Sequence, residues 1–338
     1  MIDELAGDVA AIPETLVTAL RRARNVLALT HENPDADTLG ASLGVCWLIE
    51  ALGGRATPVS SDPVPSLYGF VPGIETVRHD LDPDAEYDLL VISDGPVDRT
   101  GSVMDRHRAR LEAMPRVVID HHASNANTGP PDWIDPASAA TCEMVALLAL
   151  RLGCSLDLRD GGLATALMAG IVMDTAAFNH PNATSRTLRV AAALVDAGAP
   201  LADITRRIYR SKPDRQLRLF GRVLERLRSD LDGRLVWSTL DDDDHRVTGT
   251  SPAESEGIVD LLAQAETAEV AILFKEAGPG TRISVRTRPG GVDATVVTGR
   301  FGGGGHARAA GATIALPLAE APEPVLAEAR RLIAHVRR

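Results

Sequence analysis

The amino-acid sequence predicts two α/β domains, a larger one built on a parallel sheet and a smaller one after it. Three observations carry that reading. The 338 residues are 45% hydrophobic and 24% charged, enough for about two packed cores. In the first half, short runs rich in Val, Ile and Leu alternate with helical patterns, the signature of βα units. An arginine-rich stretch at 203–228 is then broken at Pro213 and leads into a second alternating pattern.

Taken in order, VLALT (26–30) reads as the first strand, followed by the loop HENPDAD (31–37) and a helix starting near Leu39. LLVIS (89–93) and VVI (117–119) read as further buried strands. Helical patterns run from Ser138 through Leu152, stopped by Gly153, and from Thr184 through Asp196, stopped by Gly198. These signals divide the chain into a domain at 1–196, a helical linker at 197–212 and a second domain at 213–338. The second domain holds strand-like LVWST (235–239), a helix after Ser251 and Pro252, then VAILF (270–274) and ISVRT (283–287). A last helix, Ala319 to Val336, has a basic end that suits the helix dipole. The run DDDD (241–244) reads as a solvated turn.

Composition excludes several classes. No apolar run approaches the roughly 20 residues of a membrane span, and the acidic start MIDELAGDVAAIPE is unlike a signal peptide. A cytoplasmic protein without membrane contact is expected. The cysteines at 46, 142 and 154 form neither a Cys-x-x-Cys pair nor an even framework, which argues for reduced thiols and against structural zinc. A net charge of −11 repels a long duplex, and 3% aromatic residues leave little for stacking bases. A small anion can still bind where cations neutralise clustered acids.

The sequence shows such a cluster. Each first-half strand runs straight into acids or histidines: His31, Asp35 and Asp37 after the first, Asp94 after the second, and Asp120, His121 and His122 after the third. A single polar residue there ordinarily just begins a loop, and Asp37 has a mundane use as a helix cap. In an open α/β sheet, however, the carboxyl ends of the strands border the ligand crevice, so these segments should converge. Crowded carboxylates cannot all stay ionised unless cations intervene. Asp and His without Cys suit Mn²⁺, with Mg²⁺ or Co²⁺ as alternatives, and so many ligands suit two ions about 3.5–4 Å apart. Asp174 closes the helical pattern GLATALMAGIVMD, where the macrodipole disfavours a carboxylate, which marks it as a further ligand.

The second domain carries FGGGGHARAAGA (301–312). Its glycines permit close backbone approach, and a following helical stretch is expected to turn free amides toward a phosphate. A plain flexible connection is the competing reading. Gly303, Gly304, Gly305, His306 and Arg308 are the residues concerned. Arg286, in ISVRT, either points to solvent by strand alternation or clamps phosphate through its planar fork.

Together these segments resemble the DHH phosphoesterase superfamily, in its DHH/DHHA1 form of the NrnA type, over nearly the whole chain. HENPDADTLGAS, VISDGP, VVIDHHASN and AGIVMDTAAFNHPNATSRTLRVAAALVDAGA resemble four motifs in family order, and GGGGHARAAG resembles the DHHA1 signature. SAATCE (138–143) departs from the family pattern, which has paired serines before the threonine. The resemblance implies a parallel-sheet DHH domain and a DHHA1 domain with the active-site cleft between them. It implies that His31, Asp35 and Asp94 hold one Mn²⁺, that Asp37, Asp94, His121 and Asp174 hold the other, and that Asp94 bridges. Asp120 would orient a ligating histidine and His122 would face the substrate phosphate. Arg286, His306 and the glycines would bind phosphate, and the assembly would be a homodimer.

The implied reaction is hydrolysis of a phosphodiester or terminal phosphomonoester by metal-activated water. Expected substrates are very short oligoribonucleotides, dinucleotides and pAp, giving nucleoside 5′-monophosphates; cyclic dinucleotides are an alternative. A manganese pyrophosphatase would share the first-domain motifs but not the glycine-rich segment. A RecJ-like exonuclease would need a longer chain, and a non-catalytic regulator would have no need for six intact ligands.

Overall fold

A computed structural model describes residues 2–125, 129 and 131–336. Two compact units divide the chain, 1–211 and 212–338.

In the first unit five strands, β1 (Asn25–Leu29), β2 (Arg55–Val59), β3 (Leu89–Ser93), β4 (Arg116–Asp120) and β5 (Trp133–Ile134), form a wholly parallel sheet in the order β2-β1-β3-β4-β5. The chain moves outward from β1 in one direction to β2 and in the other to β3, so the doubly wound order reverses between β1 and β3. The helices are α1 (Ala6–Ala10), α2 (Glu14–Arg22), α3 (Ala36–Ala51), α4 (Ser102–Glu112), α5 (Thr141–Leu152), α6 (Gly162–Asp174), α7 (Ser185–Asp196) and α8 (Leu201–Tyr209). The first helix after the acidic loop thus begins at Ala36 rather than near Leu39, and its cap is Asp35, whose Oδ1 accepts from the amides of Asp37 (2.9 Å) and Thr38 (3.1 Å). Asp37 is thereby freed from capping its own helix.

Helix α3 is apolar all round and buried from Ala36 to Ile49, as a helix enclosed by others must be. Its approach to α6 depends on small residues. A Cβ on Gly40 would sit 2.5 Å from the carbonyl oxygen of Ala166, and one on Gly44 would sit 3.0 Å from side chains of Leu167 and Val145. Helix α8, within the stretch read as a linker, buries Ile204 and Ile208 in the first unit's core.

The second unit contains α9 (Asp214–Glu225), β6 (Arg228–Asp230), β7 (Leu235–Leu240), α10 (Asp242–Thr248), α11 (Ile258–Leu262), β8 (Val270–Ala277), β9 (Gly280–Thr287), α12 (Ala294–Gly299), β10 (Gly304–His306), β11 (Ala309–Ile314) and α13 (Pro322–His335). Its sheet runs β10-β11-β9-β8-β7-β6, parallel only between β7 and β8. Alternate side chains serve two cores: Val270, Ile272 and Phe274 pack with α12 and α13, while Ala271 and Leu273 pack with α9 and α11.

Two expectations are corrected here. No helix follows the glycine run: β10 and β11 make an antiparallel hairpin pairing His306 with Ala309. The alternation of buried Ala310, Ala312 and Ile314 is a strand's, and the glycines let backbones close up, since a Cβ on Gly303 would meet the Gly311 carbonyl oxygen at 2.2 Å. The DDDD run is no solvated turn either. Asp241 caps α10 in a reciprocal pair with Asp244, and the buried Asp244 carboxylate receives Arg222 Nε at 2.7 Å and Arg226 Nη2 from α9.

Candidate metal centre

The carboxyl ends of β1, β3 and β4 meet at the point where the sheet order reverses. From β1, His31 is buried, and its Nδ1 lies 2.7 Å from the Glu32 carbonyl oxygen, which turns Nε2 toward the acids. From β3, Asp94 adopts φ +66°, a left-handed conformation that Asp tolerates better than most residues. This turn presents its carboxylate to both imidazoles: His31 Nε2 is 3.3 Å from Oδ2 and His121 Nε2 is 3.5 Å from Oδ1. From β4, His121 Nε2 also lies 3.1 Å from Asp174 Oδ2 at the end of α6 and 3.9 Å from Asp37 Oδ2.

Two trios with no common member can each offer converging ligand atoms: His31, Asp35 and Asp94, and Asp37, His121 and Asp174. His122 joins Asp94 and His121 in a third. The donor set fits divalent ions on a direct observation: Nε2 of His121 is buried and makes no hydrogen bond, although three carboxylate oxygens lie within 3.9 Å. A buried imidazole nitrogen aimed among carboxylates and left without a well-formed hydrogen bond is a place where a cation fits. The centre can therefore hold metal ions.

Without cations, protons do that work. Burial, together with the charges of Asp94 and Asp174, lifts Asp35 to about 6 and Asp37 well above the usual carboxylate range. Burial also raises Asp174. Burial opposes ionisation of Asp94 too, but the His31 hydrogen bond and the positive His121 keep its carboxyl below the usual value. His121 is pushed up to about 10: its burial acts the other way, and Asp174, Asp37 and Asp94 outweigh it.

Asp120, completely buried, bonds His122 rather than His121: its Oδ1 lies 2.7 Å from His122 Nδ1 and its Oδ2 accepts from Asn125 Nδ2 at 2.9 Å. That bond raises the His122 pKa. His121 is oriented instead by the Ser138 carbonyl oxygen, 3.3 Å from Nδ1.

Sequence reasoning missed the support beneath Asp37. Its two oxygens accept from successive amides at the start of α5, Thr141 N to Oδ2 at 2.7 Å and Cys142 N to Oδ1 at 2.8 Å, so an acid on α3 caps a different helix. Thr141 Oγ1 also donates to Asp94 Oδ1 at 3.1 Å. The only sequence signal was the segment SAATCE itself.

In the second unit Arg286 is half-buried with its Nε edge on Asp260 Oδ1 at 2.6 Å. His306 and Gly303–Gly305 line the β10 edge, where His306, Gly304 and Gly305 are exposed. Arg308 holds its own hairpin, with Nη1 donating to the Val292 carbonyl oxygen at 3.0 Å.

An acid-and-histidine centre at the carboxyl ends of a doubly wound parallel sheet defines a class of site that the family comparison specifies. The DHH family, N-terminal domain, matches residues 25–171, and the DHHA1 domain matches residues 238–335. The chain belongs to the DHH/DHHA1 family of phosphoesterases and is a phosphodiesterase/phosphatase-type hydrolase.

Among particular proteins, it is 33% identical over 306 residues to the bifunctional oligoribonuclease and PAP phosphatase NrnA of Thermus thermophilus, covering 89% of this chain and 88% of that one. It is 27% identical to the cyclic-di-AMP phosphodiesterase PdeA of Listeria monocytogenes over 87% of this chain and 45% of PdeA. An exopolyphosphatase-related protein from Bacteroides fragilis shares the fold, with a TM-score of 0.82 at 20% identity over 96% of this chain and 97% of that one. Among the described residues no helix is long and apolar enough to cross a membrane.

Proposed function

We propose that the chain is a two-manganese phosphoesterase that degrades very short oligoribonucleotides to nucleoside 5′-monophosphates and converts pAp to AMP. The observation that carries this is the pair of independent ligand trios, His31–Asp35–Asp94 and Asp37–His121–Asp174, in a chain 33% identical to an oligoribonuclease and PAP phosphatase. When bound, two Mn²⁺ ions would polarise the phosphoryl oxygens and make water nucleophilic near neutral pH. Asp94 would serve both ions, a role supported by its closeness to His31 and His121 alike.

The chain's own groups supply the rest. His122, part-exposed and oriented by Asp120, whose hydrogen bond raises its pKa, would face the substrate phosphate and donate a proton to the departing ester oxygen when water displaces it. In the second unit, Arg286, His306 and Gly303–Gly305 are assigned to bind substrate phosphate, with Asp260 fixing the guanidinium. Residues 1–196 are the catalytic domain, 197–212 the linker and 213–338 the substrate domain in this reading. A homodimer acting in the cytoplasm completes it.

The similarity to PdeA supports a second reading, hydrolysis of cyclic dinucleotides at the same centre. The test is incubation of the protein with pApA, pAp, cyclic di-AMP and a ladder of longer oligoribonucleotides, with Mn²⁺ or EDTA, following AMP release. Mn²⁺-dependent turnover of pApA and pAp is expected. Turnover of cyclic di-AMP alone would favour the second reading, and turnover of none would end both.

A further inference from the structure

Two of the metal-centre residues hang from a strap, residues 135–143, that leads from β5 into the first turn of α5. Ser138 offers its carbonyl oxygen to His121 Nδ1, and Thr141 and Cys142 offer their amides to Asp37. The strap's conformation therefore sets the orientation of one imidazole and one carboxylate in the same trio. Little of the strap is regular secondary structure, so something must hold it.

We infer that Arg186, acting through Glu143, is the positioning residue that locks this strap and so tunes the affinity of the Asp37–His121–Asp174 trio for its metal ion. The inference rests on the proposed metal-centre reading. Glu143 is completely buried, and its carboxylate is fully engaged: it accepts from the Ala139 amide at 3.0 Å, from Thr187 Oγ1 at 2.9 Å and from Arg186 Nε at 2.6 Å. Arg186 Nη2 reaches the other end of the strap, donating to Asp135 Oδ2 at 2.9 Å and Ser138 Oγ at 2.7 Å. One guanidinium thus ties position 135, position 138 and position 143 together, and Ala139 lies between the last two. Among the described residues its hydrogen bonds and ion pairs go to Glu143, Asp135, Ser138 and Asp8, not to the six ligand side chains.

A purely structural ion pair would need only the Glu143 contact. The fork spent on Asp135 and Ser138 instead fixes the peptide whose oxygen faces His121, the kind of partner whose loss costs about 10–100-fold in metal affinity. The fourth contact of Arg186, with Asp8 Oδ1 at 3.5 Å, lies off the strap and supplies a control.

The test measures Mn²⁺ binding by equilibrium dialysis and by the Mn²⁺ electron paramagnetic resonance signal, alongside pApA hydrolysis, for the full chain and its variants. Arg186→Gln should raise the dissociation constant of one Mn²⁺ by at least tenfold, Arg186→Lys should recover part of it, and Asp8→Ala should leave it within twofold of the starting protein. If Arg186→Gln does not fold, the double variant Asp135→Asn, Ser138→Ala, which keeps the Arg186–Glu143 pair, decides: a severalfold weaker Mn²⁺ is expected. Unchanged Mn²⁺ affinity in a folded Arg186→Gln, or in the double variant, would overturn the inference. Failure of the unaltered chain to bind Mn²⁺ would instead overturn the metal-centre reading.

Discussion

A Cβ atom placed on Gly170 would lie 2.6 Å from Oδ1 of Asp37 and 2.4 Å from Cys142 Sγ. Helix α6 thus presses bare backbone against the carboxylate that two amides of α5 hold from the other side. Glycine inside a helix ordinarily costs about 0.5–1 kcal/mol relative to alanine, so this position gives up stability to let an acid stand there.

Gly170→Ala reverses the usual sign. Helix propensity alone would stabilise by about 1 kcal/mol, but the two overlaps involve a buried carboxylate and a buried thiol that have nowhere to go. Overpacking of that kind costs about 1–3 kcal/mol. The expected result is a lower melting temperature together with weaker Mn²⁺ binding, read by calorimetry on one preparation. A stabilised variant with unchanged Mn²⁺ affinity would show that the backbone contact has no bearing on Asp37.

Asp94→Asn should separate folding from chemistry. Asparagine accepts the left-handed φ of +66° that alanine would strain. Losing the charge removes a favourable partner of His31 and His121 but also relieves Asp35 and Asp37, whose carboxyls it pushes up. Those effects oppose, so circular dichroism and melting should change little. Turnover of pApA should fall about a thousandfold, because metal-ion stabilisation is worth several kcal/mol and each 1.36 kcal/mol is tenfold in rate.

The core of this centre is legible from the sequence because buried strands announce themselves as apolar runs, and the acids follow directly. Strand β2, RATPV, is not, since an edge strand with an exposed Arg55 shows no clean pattern. The hairpin at Gly304–His306 hides because glycines have no side chains to alternate. The Arg186–Glu143 tie and the amides under Asp37 join positions 43 and about 105 residues apart, which only the packing of α3, α5 and α7 brings together. Asp241–Asp244 misled for a related reason: its partners Arg222 and Arg226 sit on another helix, α9.

That last cluster supplies a prediction away from the centre. Although burial opposes it, hydrogen bonds from Arg226 and Arg222 hold the Asp244 carboxyl below its usual range. Asp244→Asn keeps the shape and removes the charge, and hydrogen bonds to charged groups are worth about 1.5–3 kcal/mol. Urea unfolding followed by Trp237 fluorescence in the second unit should show that loss, whereas Mn²⁺ binding should be untouched. Weakened Mn²⁺ binding would mean that the two units are energetically coupled.

Metal uptake should depend on pH in a direction set by the protons already in the centre. Without cations Asp35 sits at about 6 and His121 at about 10. A folded-state value above the unfolded one contributes stability that is complete at low pH and lost as pH rises, for Asp35 between about 4 and about 6. Mn²⁺ needs the same lone pairs and must displace those protons, so its affinity rises over the interval in which the metal-free centre weakens. The Mn²⁺-induced increase in melting temperature should be small at pH 5 and large at pH 7.5, and loading at pH 7 should release protons, measurable by titration calorimetry in buffers of different ionisation heat. In Asp35→Asn the dependence below about pH 6 should shrink, with Asp37 and Asp174 still contributing, while proton release from His121 remains. Affinity that stayed level from pH 5 to 8 would mean that the ions do not bind through Asp35 and His121.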